Sequence, residues 1–242
     1  MWEVYVASYK RPGLVSTDTV IRNCRIVVPE SQADDYRTGE IYNGAQIVVC
    51  PDGADGNLCR KRNWILDQAT SEWVLIVDDD YQYIGMIEEQ RQRRLDLDEV
   101  DRMLATGFQM CADLGTTMWG INVQVDPKFY MAYTPFSLLN PILGPFQAFV
   151  NQDLRYDEDL FLKEDYDLWL RTIYRERKTL RFNKYHYMVD HLSKIGGQVA
   201  NRTMIEEERQ LRRLREKFGS KVVKWDLDKS INPKVRVPHK GT

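Results

Sequence analysis

Three adjacent aspartates, Asp78, Asp79 and Asp80, follow directly on the apolar run 73–77. Neighbouring carboxylates repel, and a strand end has no structural need for three of them. A hard divalent cation offsets that repulsion and takes oxygen ligands. A solvated acidic turn is the plainer account, since aspartates favour turns for local reasons.

A second chemical feature lies in the helix predicted over 57–69. At 100° per residue, Leu58, Ile65, Leu66 and Ala69 make one inward stripe, and Arg62 falls in its middle. A guanidinium on such a stripe needs an anion, because an unpaired buried charge is costly. Asp78, Asp80 or a ligand phosphate could supply it; a snorkelling arginine at the core edge is the alternative. Gly53, Gly56 and Asn57 precede the helix and leave free N–H groups at its start.

Glu164 and Asp165 open a third element, the amphipathic helix 165–177 with Tyr166, Trp169, Leu170, Ile173 and Tyr174 on its apolar stripe. Either acid could be a general base at the rim of a cleft, or simply favour a helix N-terminus. Tyr185-His186-Tyr187-Met188-Val189-Asp190-His191 is a fourth. A continuous strand would put His186 and His191 on opposite faces, as metal ligand, base or satisfied structural residues.

The elements that must hold these groups alternate. Strands are expected at 4–8, 25–29, 45–50 and 72–77, with helices at 16–24, 31–37 and 57–69 between them. Strand runs that are apolar on both faces belong to buried parallel sheets, where ligands bind beyond the carboxyl ends. A long helix carries Val100, Met103, Leu104, Gly107, Phe108, Cys111 and Leu114 on one face and stops at Gly115. Strands are expected at 116–124, 146–152 and 180–189, an irregular aromatic connection at 126–145, and a capped, charged helix from Thr203 to about 217. The fold class is therefore α/β, a mostly parallel central sheet with flanking helices. The 242 residues suit one domain, placed at 1–217 in two halves (1–115 and 116–217), followed by an extension at 218–242.

Composition narrows the class. The chain is 43% hydrophobic and 29% charged, which excludes a disordered tail. Cys24, Cys50, Cys59 and Cys111 form no CxxC pair and lie far from His186, His191 and His239, so free thiols are expected rather than a zinc cage. No apolar run is long enough to span a bilayer and no secretory leader stands at the start, so a cytoplasmic protein without membrane contact is expected. The net charge of −2 decides nothing about a polyanionic partner.

Four segments in order resemble the GT-A fold glycosyltransferases of the large inverting family 2. Val6-Ala7-Ser8-Tyr9-Lys10-Arg11-Pro12 is similar to that family's first strand and base-binding turn. Arg62-Asn63-Trp64-Ile65 resembles its Arg-Asn helix, Asp78-Asp79-Asp80 its DxD motif, and Glu164-Asp165-Tyr166-Asp167-Leu168 with Arg171 its Glu-Asp helix. A narrower likeness rests on 26–32, on Asp52, Gly56 and Asn57, and on 60–67. These resemble the phage glycosyltransferases found beside TET/JBP-type base dioxygenases, which are thought to put sugars on 5-hydroxymethylcytosine in DNA.

The resemblance implies a nucleotide-sugar donor, with a UDP-sugar expected, and a Mn²⁺ or Mg²⁺ cofactor. Asp80 and Asp78 would serve the metal, with His191 a third contact. Ser8, Tyr9 and Arg11 would lie near the base. Asn57, Arg62, Asp78 and Asp79 would line the donor. Asp165 would be the catalytic base, ionised at its helix start, with Glu164 the alternate. The implied partner is double-stranded DNA carrying hydroxymethylated cytosine.

Cationic candidates for DNA are Arg91, Arg93 and Arg94, then Arg209, Arg212, Arg213, Arg215 and Lys217, then Lys234, Arg236, His239 and Lys240. Glu206, Glu207 and Glu208 balance part of the second group, as on any solvated helix face. Trp119, Phe129, Tyr130, Tyr133, Phe136 and Phe146 could stack on a flipped base or fill the core. Other acceptors (saccharide, lipid or protein), a nucleotidyltransferase, and a DNA-binding module without activity remain open alternatives.

Overall fold

The computed structural model describes residues 1–123, 126–150, 153–190, 203–225 and 232–237. Strands β1 (Trp2–Ala7), β2 (Cys24–Pro29), β3 (Gln46–Cys50) and β4 (Trp73–Asp78) form the parallel N-terminal part of one sheet. Helices α1 (Ala33–Arg37) and α2 (Leu58–Gln68) make crossovers. Strands β5 (Tyr81–Glu88) and β6 (Arg91–Arg94) follow as a hairpin, then α3 (Leu97–Asp113), β7 (Met118–Val123), the two-residue β8 (Phe136–Ser137), β9 (Phe146–Val150), α4 (Glu164–Glu176) and β10 (Leu180–Val189). Helix α5 (Met204–Phe218) and the small pair β11 (Val223–Lys224) and β12 (Lys234–Val235) end the described chain.

Among the described residues the large sheet runs β3-β2-β1-β4-β9-β7-β10-β5-β6, with β8 on the side of β10. Strand β10 lies parallel to β7, whereas β9 enters antiparallel between β4 and β7. The α/β class with flanking helices is as expected. What lies in its middle is β9, which brings the loop before it to the end of β4.

Each sheet face has its own core. Leu75 and Val77 of β4 point toward α3, packing with Val100, Leu104 and Phe108. Val74 and Ile76 point the other way, toward Ile65, Leu66, Trp169 and Ile173 of α2 and α4. Gly107 of α3 lets Trp119 lie against the helix; a Cβ there would sit 2.3 Å from the indole. Val222 and Val223, beyond the expected boundary at 217, are buried in the α2/α4 core, so packing continues past it. The four cysteines are buried and unbridged.

One local expectation is corrected, and one element is new. The helix over 16–24 is a single 3-10 turn at Thr17–Thr19. Its side chains bond elsewhere: Thr17 Oγ1 donates to Asp78 O, and Asp18 accepts from Tyr42 N, while the backbone N of Ser16 donates to Asp79 O. Short polar side chains that compete for backbone groups do not favour a helix. The hairpin β5–β6 is not expected from the residues, because Glu89 and Gln90 make its turn at positive φ (49° and 59°) without the Asn-Gly signature. Arg91, Arg93 and Arg94 therefore sit on an edge strand, where exposed charge discourages pairing with another chain.

Candidate active site

The end of β4 and the loop after β1 form one buried polar knot. Asp79 is 4% exposed, and its two oxygens accept from Ser8 Oγ and from Arg11. Tyr36 of α1 shares a hydrogen bond with Ser8 Oγ (2.8 Å) and accepts one from Arg11 N (2.9 Å). Burial pushes the Asp79 carboxyl upward, and Arg11 and Ser8 oppose that. Lys61, also buried, donates to Ser8 O and pairs with Asp55. Ser8, Arg11 and Asp79 thus meet, where they chiefly satisfy one another and fix the acid turn.

Arg62 is the hub. Asn57 caps α2 by accepting from Arg60 N, which sets the helix phase. That phase turns Arg62 inward to 1% exposure, between two elements far apart in sequence. Its guanidinium donates to Asp78 Oδ1 at 3.0 Å, to Glu164 Oε1 at 3.1 Å and to Gly144 O at 3.1 Å. The ring of Tyr156 lies 5.5 Å away. Burial acts against the charge, but Tyr156, Asp78 and Glu164 more than offset it and hold Arg62 above its usual value. A buried charge with this many partners is stable only while all remain in place.

Gly144 and Pro145 join the parts. Gly144 O accepts from Arg62, while Gly144 N donates to Asp165 Oδ2 at 3.0 Å. Pro145 O accepts from Tyr81 Oη (2.7 Å) and from Asp78 N (3.3 Å). The loop before β9 thereby fixes strand end and helix start to one another. Sequence reading misses Gly144 and Tyr156; a Gly-Pro pair in an irregular stretch is an ordinary turn signal and gives no hint of such a hub.

Helix α4 starts at Glu164, one residue before the expected boundary. Asp165 also accepts from Tyr166 N at 2.7 Å. Glu164 is 7% exposed and turned to Arg62, whereas Asp165 is the more open of the two. The expectation that the helix N-terminus lowers Asp165 is corrected. Burial raises it, and Gly144 N and Tyr166 N only moderate the effect. Burial together with Asp165 pushes Glu164 up to about 8. Two adjacent carboxyls in one dry pocket resist double ionisation. Lys163, before them, pairs with Glu207 of α5 at 2.6 Å, both buried, which anchors the helix start from behind.

Tyr9 is half-buried with its ring 5.6 Å from the Lys61 ammonium. His186 is wholly buried on β10 opposite Gly85, away from the acid turn, and burial lowers its pKa. His191 lies outside the described residues, as do His239 and Lys240. Trp119 and Phe146 are core residues at 0% exposure rather than acceptor contacts, whereas Phe129, Tyr133 and Phe136 are exposed. Much of the proposed basic surface is paired: Arg93 with Glu88 and Glu99, Arg209 with Glu206, Arg212 with Glu208, Arg213 with Asp159, and Lys217 with Asp157 and Asp167.

Among the described residues no three His, Cys, Asp or Glu side chains group as a ready-made metal cage. Mg²⁺ needs none when one or two carboxylates are completed by phosphate oxygens and water. Asp78, whose side chain is 25% exposed, and Asp80, held 3.5 Å from Arg11, are hard oxygen donors of that kind. The donor set fits such an ion.

No curated protein matches the sequence. The solved structures similar to it include S. aureus TarS 1–349, at 17% identity and TM-score 0.47. The match covers 77% of this chain but only 59% of that one. Another is glucosyl-3-phosphoglycerate synthase from Mycobacterium tuberculosis in complex with Mg²⁺ and uridine-diphosphate, at 9% identity and TM-score 0.48, over 87% of this chain and 79% of that one. A family model described as TET-Associated Glycosyltransferase matches residues 13–198, well over half of the 242 residues. With its acid turn, inward arginine and paired helix-start carboxyls now in place, the chain belongs to the TET-associated glycosyltransferase family.

Proposed function

We propose that the protein transfers a sugar, with inversion, from a nucleotide-sugar donor (a UDP-sugar) to the hydroxyl of 5-hydroxymethylcytosine in DNA. The observation that carries the reading is the Arg62 hub, which joins the strand-end Asp78 to Glu164, next to the Gly144-held Asp165. Asp78 and Asp80 would hold Mg²⁺ or Mn²⁺, whose charge stabilises a leaving nucleoside diphosphate.

The chain's own residues do the rest. Tyr9 would lie near the base, with Ser8 and Arg11 beside it holding the turn in place. Asp165 takes the acceptor proton as the acceptor oxygen attacks the anomeric carbon. The carbon–oxygen bond to the diphosphate breaks on the opposite side, and the electron pair leaves with the diphosphate. Gly144 N–H keeps Asp165 aimed, and Glu164, tied to Arg62, makes a second proton in the pair costly to lose.

The DNA acceptor rests on the family's association with TET proteins and on the subfamily likeness in 26–32 and 52–67. Incubating the protein with hydroxymethylated or unmodified duplex and a panel of nucleotide sugars is expected to add one hexose mass per modified base on the former only. Mass gain on a saccharide acceptor but on neither duplex would overturn the DNA assignment.

A further inference from the structure

Phe129, Met131, Tyr133 and Phe136 stand 79%, 47%, 82% and 40% exposed within eight residues. Large apolar side chains at that density on a surface call for a partner. The backbone that carries them is pinned. Asn183 Nδ2 donates to Thr134 O at 2.9 Å, Asn183 N donates to Pro135 O at 2.8 Å, and Phe136 pairs with Phe182 in the β8–β10 ladder. The rings are therefore displayed from a fixed base.

Arg181 adjoins this loop in the same ladder, opposite Ser137. Its guanidinium is half-buried and donates only to neutral oxygens, Asn183 Oδ1 at 2.9 Å and Pro141 O at 3.4 Å. Burial lowers its pKa to about 10, and no carboxylate pairs with it among the described residues. This contrasts with Arg62, which has two carboxylates. A desolvated cation without an acid partner gains strongly from an incoming anion.

The position matters as well. Pro141 holds Arg181 and Gly144 holds Asp165, so two residues of chain, Ile142 and Leu143, separate the two anchors. Their span is at most about 11 Å, on the scale of one or two nucleotides. The exposed acid in the loop is Asp126, followed by Lys128, and Lys184 lies on β10 with Arg181.

We propose that residues 129–136 and Arg181 form the acceptor-strand dock: Arg181 takes a backbone phosphate beside the reacting nucleotide, and Phe129 and Tyr133 stack on neighbouring bases. Stacking is sequence-tolerant and the phosphate contact positions the strand without reading it. This deepens the DNA reading above and rests on it.

The test uses the full chain with a fluorescein-labelled hydroxymethylated duplex, measured by anisotropy over a salt series, beside transfer kinetics. Phe129→Ala with Tyr133→Ala is expected to weaken DNA binding about tenfold or more. Arg181→Gln is expected to reduce the salt slope of binding by about one. In both, the KM for DNA rises while the KM for the nucleotide sugar is unchanged. The melting temperature of Arg181→Gln does not fall, since the variant removes a charge that no acid compensates. Unchanged DNA affinity and salt slope in these variants, with transfer intact, overturns the dock and leaves the DNA reading standing. A wild-type protein that glycosylates no DNA overturns the reading itself; if it also binds no duplex at low salt, the dock falls with it.

Discussion

Asp165→Asn is expected to lower kcat for transfer by about 10²–10⁴-fold, with little change in the KM for donor. The carboxamide oxygen can still accept from Gly144 N, so the helix start keeps its place, while the group can no longer take the acceptor proton. Glu164→Gln is expected to cost less in kcat, because Glu164 faces Arg62 rather than the opening. A variant pair with the opposite ranking would exchange the two roles.

The same pair sets the pH dependence. Both carboxyls are raised by burial, Glu164 to about 8. A base must be ionised, so the transfer rate is expected to climb from acid pH as Asp165, raised above the usual carboxylate range, gives up its proton, and then to level while Glu164 still holds its own. Stability moves the other way. The folded protein holds a proton on Glu164 that the unfolded chain, with a carboxyl near 4.5, has released. Between those values the native state binds more protons, and its stability falls as pH rises. Kinetics and urea melts at several pH values read both limbs; a rate that does not rise from acid pH, or a stability that does not fall between about 4.5 and 8, contradicts the assignment.

Arg62→Met is expected to destabilise the fold by about 3–5 kcal/mol. Methionine fills similar apolar space, so the loss comes from charge. Glu164, 7% exposed, and Asp78 are left without their cation, and Gly144 O loses its donor. For a protein whose whole stability is about 5–15 kcal/mol this is a large fraction. Adding Glu164→Gln to Arg62→Met replaces the buried titratable carboxyl left without its partner by a neutral amide and is expected to recover part of the loss. The urea midpoint of wild type, both single variants and the double variant checks this. Additive losses would mean that the hub is not an energetic unit.

Much of this arrangement is legible in the order of the amino acids, and the reasons are specific. The stripe Leu58, Ile65, Leu66 puts Arg62 inward from periodicity alone, and the fold places it there at 1% exposure. The apolar run before Asp78 ties the acid turn to a strand end. Strand β10 occupies the expected residues, Leu180–Val189. What stays hidden depends on long-range contacts. No local pattern says that β9 inserts antiparallel beside β4, and so none says that Gly144 and Pro145 will join Arg62, Asp78, Tyr81 and Asp165. The direction of the Asp165 shift escapes sequence reading for a related reason. A helix start favours a carboxylate locally, but burial beside Glu164 is a tertiary effect and the larger one. Likewise, six aromatics in one sequence region divide into core and surface only when the sheet is known: Trp119 and Phe146 go in, Phe129 and Tyr133 stay out.

Titrating UDP into the protein by calorimetry, with and without Mg²⁺ or Mn²⁺, addresses the acid turn directly. Wild type is expected to bind the diphosphate far more tightly with the ion than without it, and Asp80→Ala to lose that difference while keeping its melting temperature. Binding that is equally tight with and without the ion, or an unchanged ion effect in a folded Asp80→Ala, would contradict the account.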